Sequence, residues 1–226
     1  MIGYGALALA MGTAIGTVAP DAARAEVQIQ VYGGVNGNFS SDVSVRKPGV
    51  VTDNRSIDWD GKSFAMPPYW GARGIYWIDS SPNWGVAIEF THAKAYAKLG
   101  GAAGAIYDRL EFTDGNNIFT ANVLYRFDPW QHYRIRPYAG LGVGLAVPHV
   151  EVELVGDPGP RTYEYQLTGV AVQGLVGLEM PLGANWSGFI EGKMTYTRID
   201  ADLKGGGSLK TDLWSPHLAV GLSYRF

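Results

Sequence analysis

The amino-acid sequence predicts an all-β chain that folds as an eight-stranded antiparallel transmembrane β-barrel with short periplasmic turns and longer extracellular loops. Three observations support this prediction: apolar residues alternate with period two along eight segments, the connections between segments are alternately short and long, and alternate residues from Leu218 to the terminal Phe226 are apolar or aromatic. Lipid offers no hydrogen-bond partners, so a sheet is stable there only when it closes and removes its edges. One face of each strand then meets lipid, and the other fills a narrow lumen.

Composition limits the classes of protein that fit. The chain has 226 residues, of which 46% are hydrophobic and 17% charged, enough for one all-β domain or two small ones. Its net charge of −3 argues against a nucleic-acid partner, because such binders concentrate Lys and Arg along the phosphates. The absence of cysteine excludes disulfides, thiolate metal sites and a cysteine nucleophile.

Residues 1–25 are predicted to be a signal peptide. Residues 1–18 are an apolar run of mostly small side chains, and Ala23-Arg24-Ala25 supplies the A-x-A pattern that a signal peptidase accepts, which places cleavage after Ala25. No Lys or Arg precedes Arg24, so the positive n-region of a signal peptide is missing. An uncleaved anchor helix is the alternative. Residues 26–226 then form the barrel domain, in which no apolar stretch approaches the ~20 residues of a membrane-spanning helix.

Each strand is predicted from its own alternation. In the first, Val27, Ile29 and Val31 share one face, while Gln28 and Gln30 share the other. The predicted strands cover approximately residues 26–36, 68–78, 84–95, 111–127, 136–154, 163–180, 186–199 and 212–226. Three connections are short, at 79–83, 128–134 and 181–185, and four are mostly longer and richer in Gly and charge, at 40–67, 96–110, 155–162 and 200–211.

The predicted lumen is filled rather than open, because eight strands leave room only for side chains. Parity along the strands turns a mostly charged set inward: Arg73, Glu89, Asn122, Arg126, Gln173, Glu179, Glu191, Lys193 and Arg225. Opposite charges in this set can pair, which favours a structural plug over an ion pathway. Aromatic residues are predicted to ring the periplasmic edge, where amphipathic rings are favoured: Trp84, Tyr125, Phe127, Trp186, Tyr224 and Phe226. A soluble lipocalin-type barrel is the competing architecture, and it would turn its apolar face inward.

The stretch LAVPHVEVEL, residues 145–154, changes its pattern after Pro148, where the apolar residues move from odd to even positions. His132 falls in a predicted periplasmic turn, whereas the other three histidines lie near the loop end of the barrel. Extending the outward parity beyond the membrane predicts one polar patch on the outer wall, formed by His92, Lys94, Glu111, Thr113, Asn117, His149, Glu151, Glu153, Glu164, Gln166 and Thr168. A solvated or lipopolysaccharide-contacting wall explains this patch as well as a catalytic or metal site does. A bulge at Pro148 would instead turn His149 inward.

No standard catalytic or nucleotide-binding motif is present, and the glycine run PYAGLGVGLAV has the period of a tightly packed strand. The barrel resembles small OmpA-like or OmpW-like outer-membrane proteins of Gram-negative bacteria, through LYRF at 124–127, RPYAGLGVG at 136–144 and the C-terminal SYRF. That resemblance implies a location in the bacterial outer membrane and recognition of the terminal Phe226 by the outer-membrane assembly machinery.

Six less generic segments are similar to the rhizobial lipid A oxidase group of outer-membrane barrels: WDGKSFAMPPYWGARGIYW (59–77), WGVAIEFTHAKAYA (84–97), LEFTDGNN (110–117), VPHVEVE (147–153), YEYQLTG (163–169) and GGGSLKTD (205–212). The resemblance implies that the barrel uses O2 to oxidise the proximal glucosamine of lipid A to 2-aminogluconate in the outer leaflet. We expect the barrel to be a monomer. It brings no residue roles with it.

Residue roles are therefore predicted from the patch alone. His92, His149, Glu151 and Glu111 are the predicted catalytic residues, and Lys94, Gln166 and Glu153 the predicted substrate-binding residues. Imidazole and carboxylate together suit proton transfer or a divalent metal ion, which His149 and Glu151 would bind. No cofactor motif accompanies them. The alternative function is a non-catalytic OmpA-like or OmpW-like barrel that supports envelope integrity or adhesion, or that forms a narrow channel.

Overall fold

Twelve antiparallel strands make up the computed structural model of the protein, which describes residues 26–130 and 134–226. The predicted signal peptide, its cleavage site and His132 lie outside the described residues. The strands are β1 (Glu26–Asn36), β2 (Ser41–Lys47), β3 (Val51–Ile57), β4 (Trp59–Asp60), β5 (Trp70–Trp77), β6 (Trp84–Ala97), β7 (Tyr107–Arg126), β8 (Arg136–Leu154), β9 (Thr162–Tyr165), β10 (Gly169–Pro181), β11 (Trp186–Asp202) and β12 (Ser208–Arg225). Over those residues, no helix is long and apolar enough to cross a membrane.

Eight of the strands close a ring in the order β1, β5, β6, β7, β8, β10, β11 and β12, and β12 pairs back onto β1. The closing register runs from Gln28 opposite Arg225 to Asn36 opposite His217. The predicted eight-stranded antiparallel barrel is thus confirmed. Four shorter strands extend the same sheet, because β2 and β3 form a hairpin beside β12, β4 pairs with β6, and β9 pairs with β8. The predicted loop at 40–67 therefore contains three strands that the sequence pattern did not predict.

Apolar side chains project outward around the middle of the ring. Ile88 is 75% exposed and Leu141 73%, as expected of side chains that face lipid. This zone, called the apolar belt below, ends toward the loops at the row of Trp70, His92, Asn117 and Val147, which are register partners on β5 to β8. At the turn end, aromatic rings contact one another as predicted, for example Trp84 with Tyr125 at a centroid distance of 4.9 Å.

A buried ion-pair network fills the lumen inside the belt. Arg73 donates to Glu89 at 3.0 Å and to Glu191 at 2.7 Å, and both carboxylates are fully shielded from solvent. Lys193 donates to Glu89, and the Tyr138 hydroxyl donates to Glu191 at 2.9 Å. The predicted pairing of inward charges is confirmed, and the network occupies the centre of the barrel.

Beyond the belt, at the loop end, the inner and outer faces exchange polarity. The inner face there carries an apolar core of Val43, Val45, Ile57, Trp59, Ala95, Tyr107, Leu110, Phe112, Val150, Val152, Leu154, Ile199, Ala201, Leu203, Leu209 and Leu213. Strand β8 keeps its parity through Pro148, because Val150 and Val152 enter this core while His149 and Glu151 stay on the outward face. Pro148 therefore does not turn His149 inward. The change of pattern marks the border between the apolar belt and this region, called the loop-end extension below.

Candidate functional site

A bulge in β7 shapes the outer wall just above the belt. Between the pairs Glu111–Glu151 and Asn116–Pro148, β7 has four residues, 112–115, where β8 has only two, 149 and 150. The extra residues preserve the parity of β7 but push its backbone outward. Gly115 has φ 99°, and a Cβ atom at that position would lie 2.4 Å from Nδ1 of His92. Only glycine permits so close an approach.

His92, on β6, lies on one side of this bulge and is only 4% exposed. Its Nδ1 is 2.8 Å from Oδ1 of Asn117, and the Asn117 amide nitrogen donates to the carbonyl oxygen of Asp114 at 3.4 Å. Because an amide oxygen only accepts, Nδ1 of His92 must be the donor. The neutral ring therefore carries its lone pair on Nε2, which has no hydrogen-bond partner.

His149, on β8, lies on the other side of the bulge and is 3% exposed. The rings of Tyr163 and Tyr165 make edge-to-face contacts with its ring at centroid distances of 4.4 and 4.7 Å. Its Nδ1 is 3.8 Å from Oδ2 of Asp114 and makes no hydrogen bond. Tyr165 in turn donates its hydroxyl to the Asp114 carbonyl oxygen at 3.3 Å. Asp114 thus stands between the two histidines. His92, Asp114, Asn117, His149 and Glu151 are called the outer-wall site below.

Glu111 and Glu151 are register partners next to the histidines, and Arg109 neutralises both. Its Nη1 lies 2.8 Å from Oε1 of Glu111 and 3.2 Å from Oε1 of Glu151. Thr113 donates its hydroxyl to Glu151 at 3.0 Å, and Arg161 lies 3.6 Å from the same carboxylate. Burial raises the pKa of the Glu111 carboxyl, and the charge of Glu151 acts in the same direction, against the lowering effect of Arg109.

The predicted metal pair, His149 and Glu151, has no third protein ligand. Among residues 26–130 and 134–226, no three His, Asp or Glu side chains lie close enough together to hold a metal ion. A divalent ion bound to this pair would draw its remaining ligands from water or substrate. Metal binding by His149 and Glu151 stays a prediction.

Gln166 does not face the outer-wall site as the parity count predicted. His149 pairs with Tyr165 and Ala146 with Gly169, so three residues, 166–168, oppose two residues of β8. The extra residue reverses the parity, which turns Tyr163 and Tyr165 outward instead of Glu164 and Gln166. The side chain of Gln166 bonds to the backbone N–H and carbonyl of Asp202, each at 2.9 Å. Its expected contact with a head group at His149 is therefore lost.

Lys94 lies on the outward face as predicted, but it is only 1% exposed. Its ammonium donates to the carbonyl oxygens of Ala65 and Met66 at 3.1 and 2.9 Å. The chain between β4 and β5, residues 61–69, covers it and is called the lobe below. Glu153 is exposed opposite Arg109, farther from the histidines along the same strand.

Three contributors escaped the sequence prediction: Asp114, Tyr163 and Tyr165. The dipeptide Asp114-Gly115 within a strand pattern was an available signal, because Asp-Gly favours turns and bulges. No comparable signal marked the tyrosines, since their direction depends on the register between β8 and β9. Beside the site, a groove of about 370 Å³ runs between the lobe and β7, with Lys62, Tyr96, Arg109 and Glu111 in its lining.

A family model of the outer membrane protein β-barrel domain matches residues 6–226. Among solved structures, the chain is similar to the outer membrane protein OprG from Pseudomonas aeruginosa, with 14% identity, coverage of 89% of this chain and 96% of that chain, and a TM-score of 0.54. It is also similar to Neisserial surface protein A (14% identity, 89% and 97% coverage, TM-score 0.46) and to Ail, the attachment invasion locus protein of Yersinia pestis (16% identity, 89% and 99% coverage, TM-score 0.39). At this identity, the likeness to OprG carries the fold alone. No curated protein matches the chain in sequence.

Proposed function

The chain belongs to the family of outer membrane protein β-barrel domains and lies in the bacterial outer membrane, and we propose that it is an oxidase of the lipid beside it. The substrate is the proximal glucosamine of lipid A, the product is 2-aminogluconate, and O2 is the oxidant. The eight strands close without a second chain, which is compatible with the monomer that we propose. Its terminal Phe226, 69% exposed, is the proposed contact with the assembly machinery.

One observation carries this proposal. Two histidines, buried on the outward wall at the upper edge of the apolar belt, each keep a ring nitrogen without a partner. An unsatisfied buried polar group costs about 1–3 kcal/mol, so a partner for each of these two nitrogens would stabilise the outer wall. Sugar hydroxyls at the head-group level of the outer leaflet are the proposed partners of these two nitrogens, and they would reach them once the side chains that cover the rings move aside. The similarity of the flanking segments to the lipid A oxidase group points to the same substrate.

The proposed reaction is a two-electron oxidation at the anomeric carbon, which carries one hydrogen and one hydroxyl. His92 Nε2 takes the hydroxyl proton as general base. The carbon-bound hydrogen and two electrons pass to O2, which with the hydroxyl proton becomes H2O2, and the sugar becomes a lactone. Water, directed by His149, then opens the lactone to the gluconate, so the lipid gains one oxygen atom. Glu111 and Glu151 hold Arg109 beside the groove, where its remaining N–H groups face the head group.

A non-catalytic barrel is the second candidate, and the ion pairs of the site favour it. Both carboxylates of the predicted catalytic set are already paired with Arg109, as expected for a solvated or lipopolysaccharide-contacting wall. Such a barrel would serve envelope integrity or adhesion. A narrow channel has less support, because the ion network and the apolar core of the loop-end extension fill the described interior.

Mass spectrometry of lipid A from cells with and without the gene separates the two candidates. The oxidase is expected to add one oxygen atom to lipid A, and an unchanged glucosamine profile would leave the non-catalytic barrel. His92→Gln and His149→Ala should each abolish the mass shift, while Lys210→Ala, an exposed position on another strand, should keep it. Heat-modifiable gel migration checks that every variant still folds as a barrel. Full activity in both histidine variants would remove the outer-wall site from the reaction.

A further inference from the structure

The lobe is a long excursion of the chain from the barrel wall. Asp60 pairs with Tyr96 and Trp70 pairs with His92, so nine residues, 61–69, stand opposite only three residues of β6, 93–95. The excess cannot stay within the ladder, and it folds over the outward face beside the outer-wall site. Its first part is fixed to the end of β1, because the backbone N–H of Asn36 donates to Oγ of Ser63 at 2.8 Å.

Two apolar side chains at the tip of the lobe contact almost nothing in the protein. Phe64 is 82% exposed and Met66 is 83% exposed, the highest values among the large apolar residues that the structure describes. Trp70, the residue that follows the lobe, forms a row of rings with Phe90 and Phe119 at centroid distances of 5.1 and 5.0 Å. Trp70 belongs to the row that ends the apolar belt, so the chain of the lobe leads directly into the lipid-facing surface.

The lobe is also held in place by a buried cation. Lys94 donates to two successive carbonyl oxygens, those of Ala65 and Met66, directly behind the exposed tip. A charge-assisted hydrogen bond to a carbonyl is among the stronger contacts available to a loop. Lys62 adds an ammonium over the ring of Tyr96, 4.1 Å from its centroid. The tip is thus presented by a rigid support rather than by a free loop.

We propose that the lobe is a lipid-inserting wedge: Phe64 and Met66 enter the acyl layer of the outer leaflet beside the outer-wall site, and Lys94 is the positioning residue that holds them there. The occupant is the acyl chains of outer-leaflet lipid, because the chain of the lobe leads directly into the belt that already faces lipid. A polar groove lined by Lys62 and Arg109 lies on the other side of the lobe, at the level of the head group. One lipid is therefore held at both ends, by its acyl chains at the tip and by its head group in the groove.

The absence of cysteine allows a direct test of insertion. Phe64→Cys, labelled with an environment-sensitive dye, is reconstituted as the full chain in vesicles whose lipids carry bromine on the acyl chains. Val50→Cys, at the β2–β3 turn and 39% exposed, is the matched control. We expect blue-shifted emission and severalfold stronger quenching at position 64 than at position 50. Equal behaviour of the two labels would overturn the proposal, and so would a shielded label that bromine does not quench, because a protein would then cover the tip.

The role of Lys94 has its own test. Lys94→Met removes both hydrogen bonds to the lobe, whereas Lys94→Arg keeps a buried donor at the same place. Quenching of the label at position 64 should fall to the level at position 50 in the first variant and recover in the second. Unchanged quenching in Lys94→Met would show that the lobe does not depend on this residue. If Lys94→Met fails to assemble, Ser63→Ala removes the other anchor of the lobe and is expected to lower quenching in the same way.

Insertion of the tip into lipid does not depend on the proposed oxidase activity, and different measurements would contradict the two proposals. Phe64→Ser combined with Met66→Ser should raise KM for lipid A in vesicles by about tenfold, with little change in kcat, because it weakens uniform binding. Oxidation of a deacylated head group should be unaffected. An unquenched label in an active barrel would overturn the wedge alone, and a quenched label in an inactive barrel would overturn the oxidase alone.

Discussion

The apolar belt and the loop-end extension are built from the same strands, yet they are inside-out copies of each other. Along β8, Leu141 and Leu145 face outward in the belt, and Val150 and Val152 face inward in the extension. The parity of the strand never changes, so the surroundings alone decide which face is apolar. Lipid selects an apolar outside and a paired polar inside, and water selects the reverse.

The two regions also handle charge differently. Arg73 and its two carboxylates are completely shielded in the lumen, whereas Arg109 is 44% exposed beside its carboxylates in the extension. Water cannot stabilise a buried ion that loses its partner, whereas it does stabilise an exposed one. The same kind of contact therefore has very different consequences at the two heights of the barrel.

The largest expected effect on the free energy of unfolding comes from breaking the ion-pair network of the lumen. Arg73→Met leaves Glu89 and Glu191 without their main cation, and we expect a loss of about 3–5 kcal/mol in the free energy of unfolding. Arg109→Ala, the matched change in the extension, should cost at most about 1 kcal/mol. Urea titration of the barrel in lipid vesicles, followed by tryptophan fluorescence, measures both. Similar losses would mean that the two heights are equally solvated.

A smaller loss in the free energy of unfolding is expected when a charge is placed on the outward face of the barrel. Ile88→Arg sets a cation in the middle of the apolar belt, which should cost about 2–4 kcal/mol. Val155→Arg, at an exposed position just after β8 in the loop-end extension, should leave the free energy of unfolding unchanged within about 0.5 kcal/mol. The same titration applies. A tolerated Ile88→Arg would move the border of the belt below that position.

The smallest expected effect concerns two carboxyls of the extension whose pKa values move in opposite directions. The hydrogen bond from Arg55, with a second from Tyr107, lowers the pKa of Asp53. Its contribution is therefore present above the unfolded pKa of about 4 and is lost as pH falls through the folded pKa. Asp53→Asn should destabilise the extension by about 1 kcal/mol at neutral pH and have no effect in acid.

The stability that depends on Glu111 changes with pH in the opposite direction. The pKa of its carboxyl is raised, so the folded state favours the protonated form. Its contribution is present below the unfolded pKa and is lost as pH rises through the folded pKa. Glu111→Gln should therefore remove a loss of stability that the parent shows on going from acid to neutral pH. Limited proteolysis of the extension at several pH values reports both variants. The same pH slope in Asp53→Asn and Glu111→Gln would contradict these assignments.

Alternation alone was sufficient to predict the ring, the inward charges such as Arg73 and Glu191, and the aromatic edge around Trp84. These features depend on the local direction of a side chain, which has a period of two. The hairpin of β2 and β3 was missed because its strands are short and its polar face meets water. Such strands lack the ten-residue length, approximately, that marks a membrane-spanning strand.

The outer-wall site was predicted only in part, because the face on which a side chain lies depends on the register between strands. His92 and His149 face outward as counted, because the β7 bulge between them adds an even number of residues. Gln166 was misplaced because an odd insertion separates β9 from β10. Lys94 was counted on the correct face, but its burial depends on the lobe, whose path no periodicity describes. Side-chain roles at such points follow from contacts between distant segments.

Strand β12 has one further consequence. Its outer edge is divided between two partners, β1 at residues 217–225 and β2 at residues 208–211, and the backbone N–H groups of Gly37 and Phe39 bridge the gap to Pro216 and Trp214 at 2.9 Å each. Of the twelve strands, β12 is synthesised and exported last. Until β12 arrives, the edges of β1, β2 and β11 are all open. An incomplete chain therefore exposes unpaired backbone in both the apolar belt and the loop-end extension. We expect that periplasmic proteases degrade such truncated chains entirely rather than trim them to a shorter barrel.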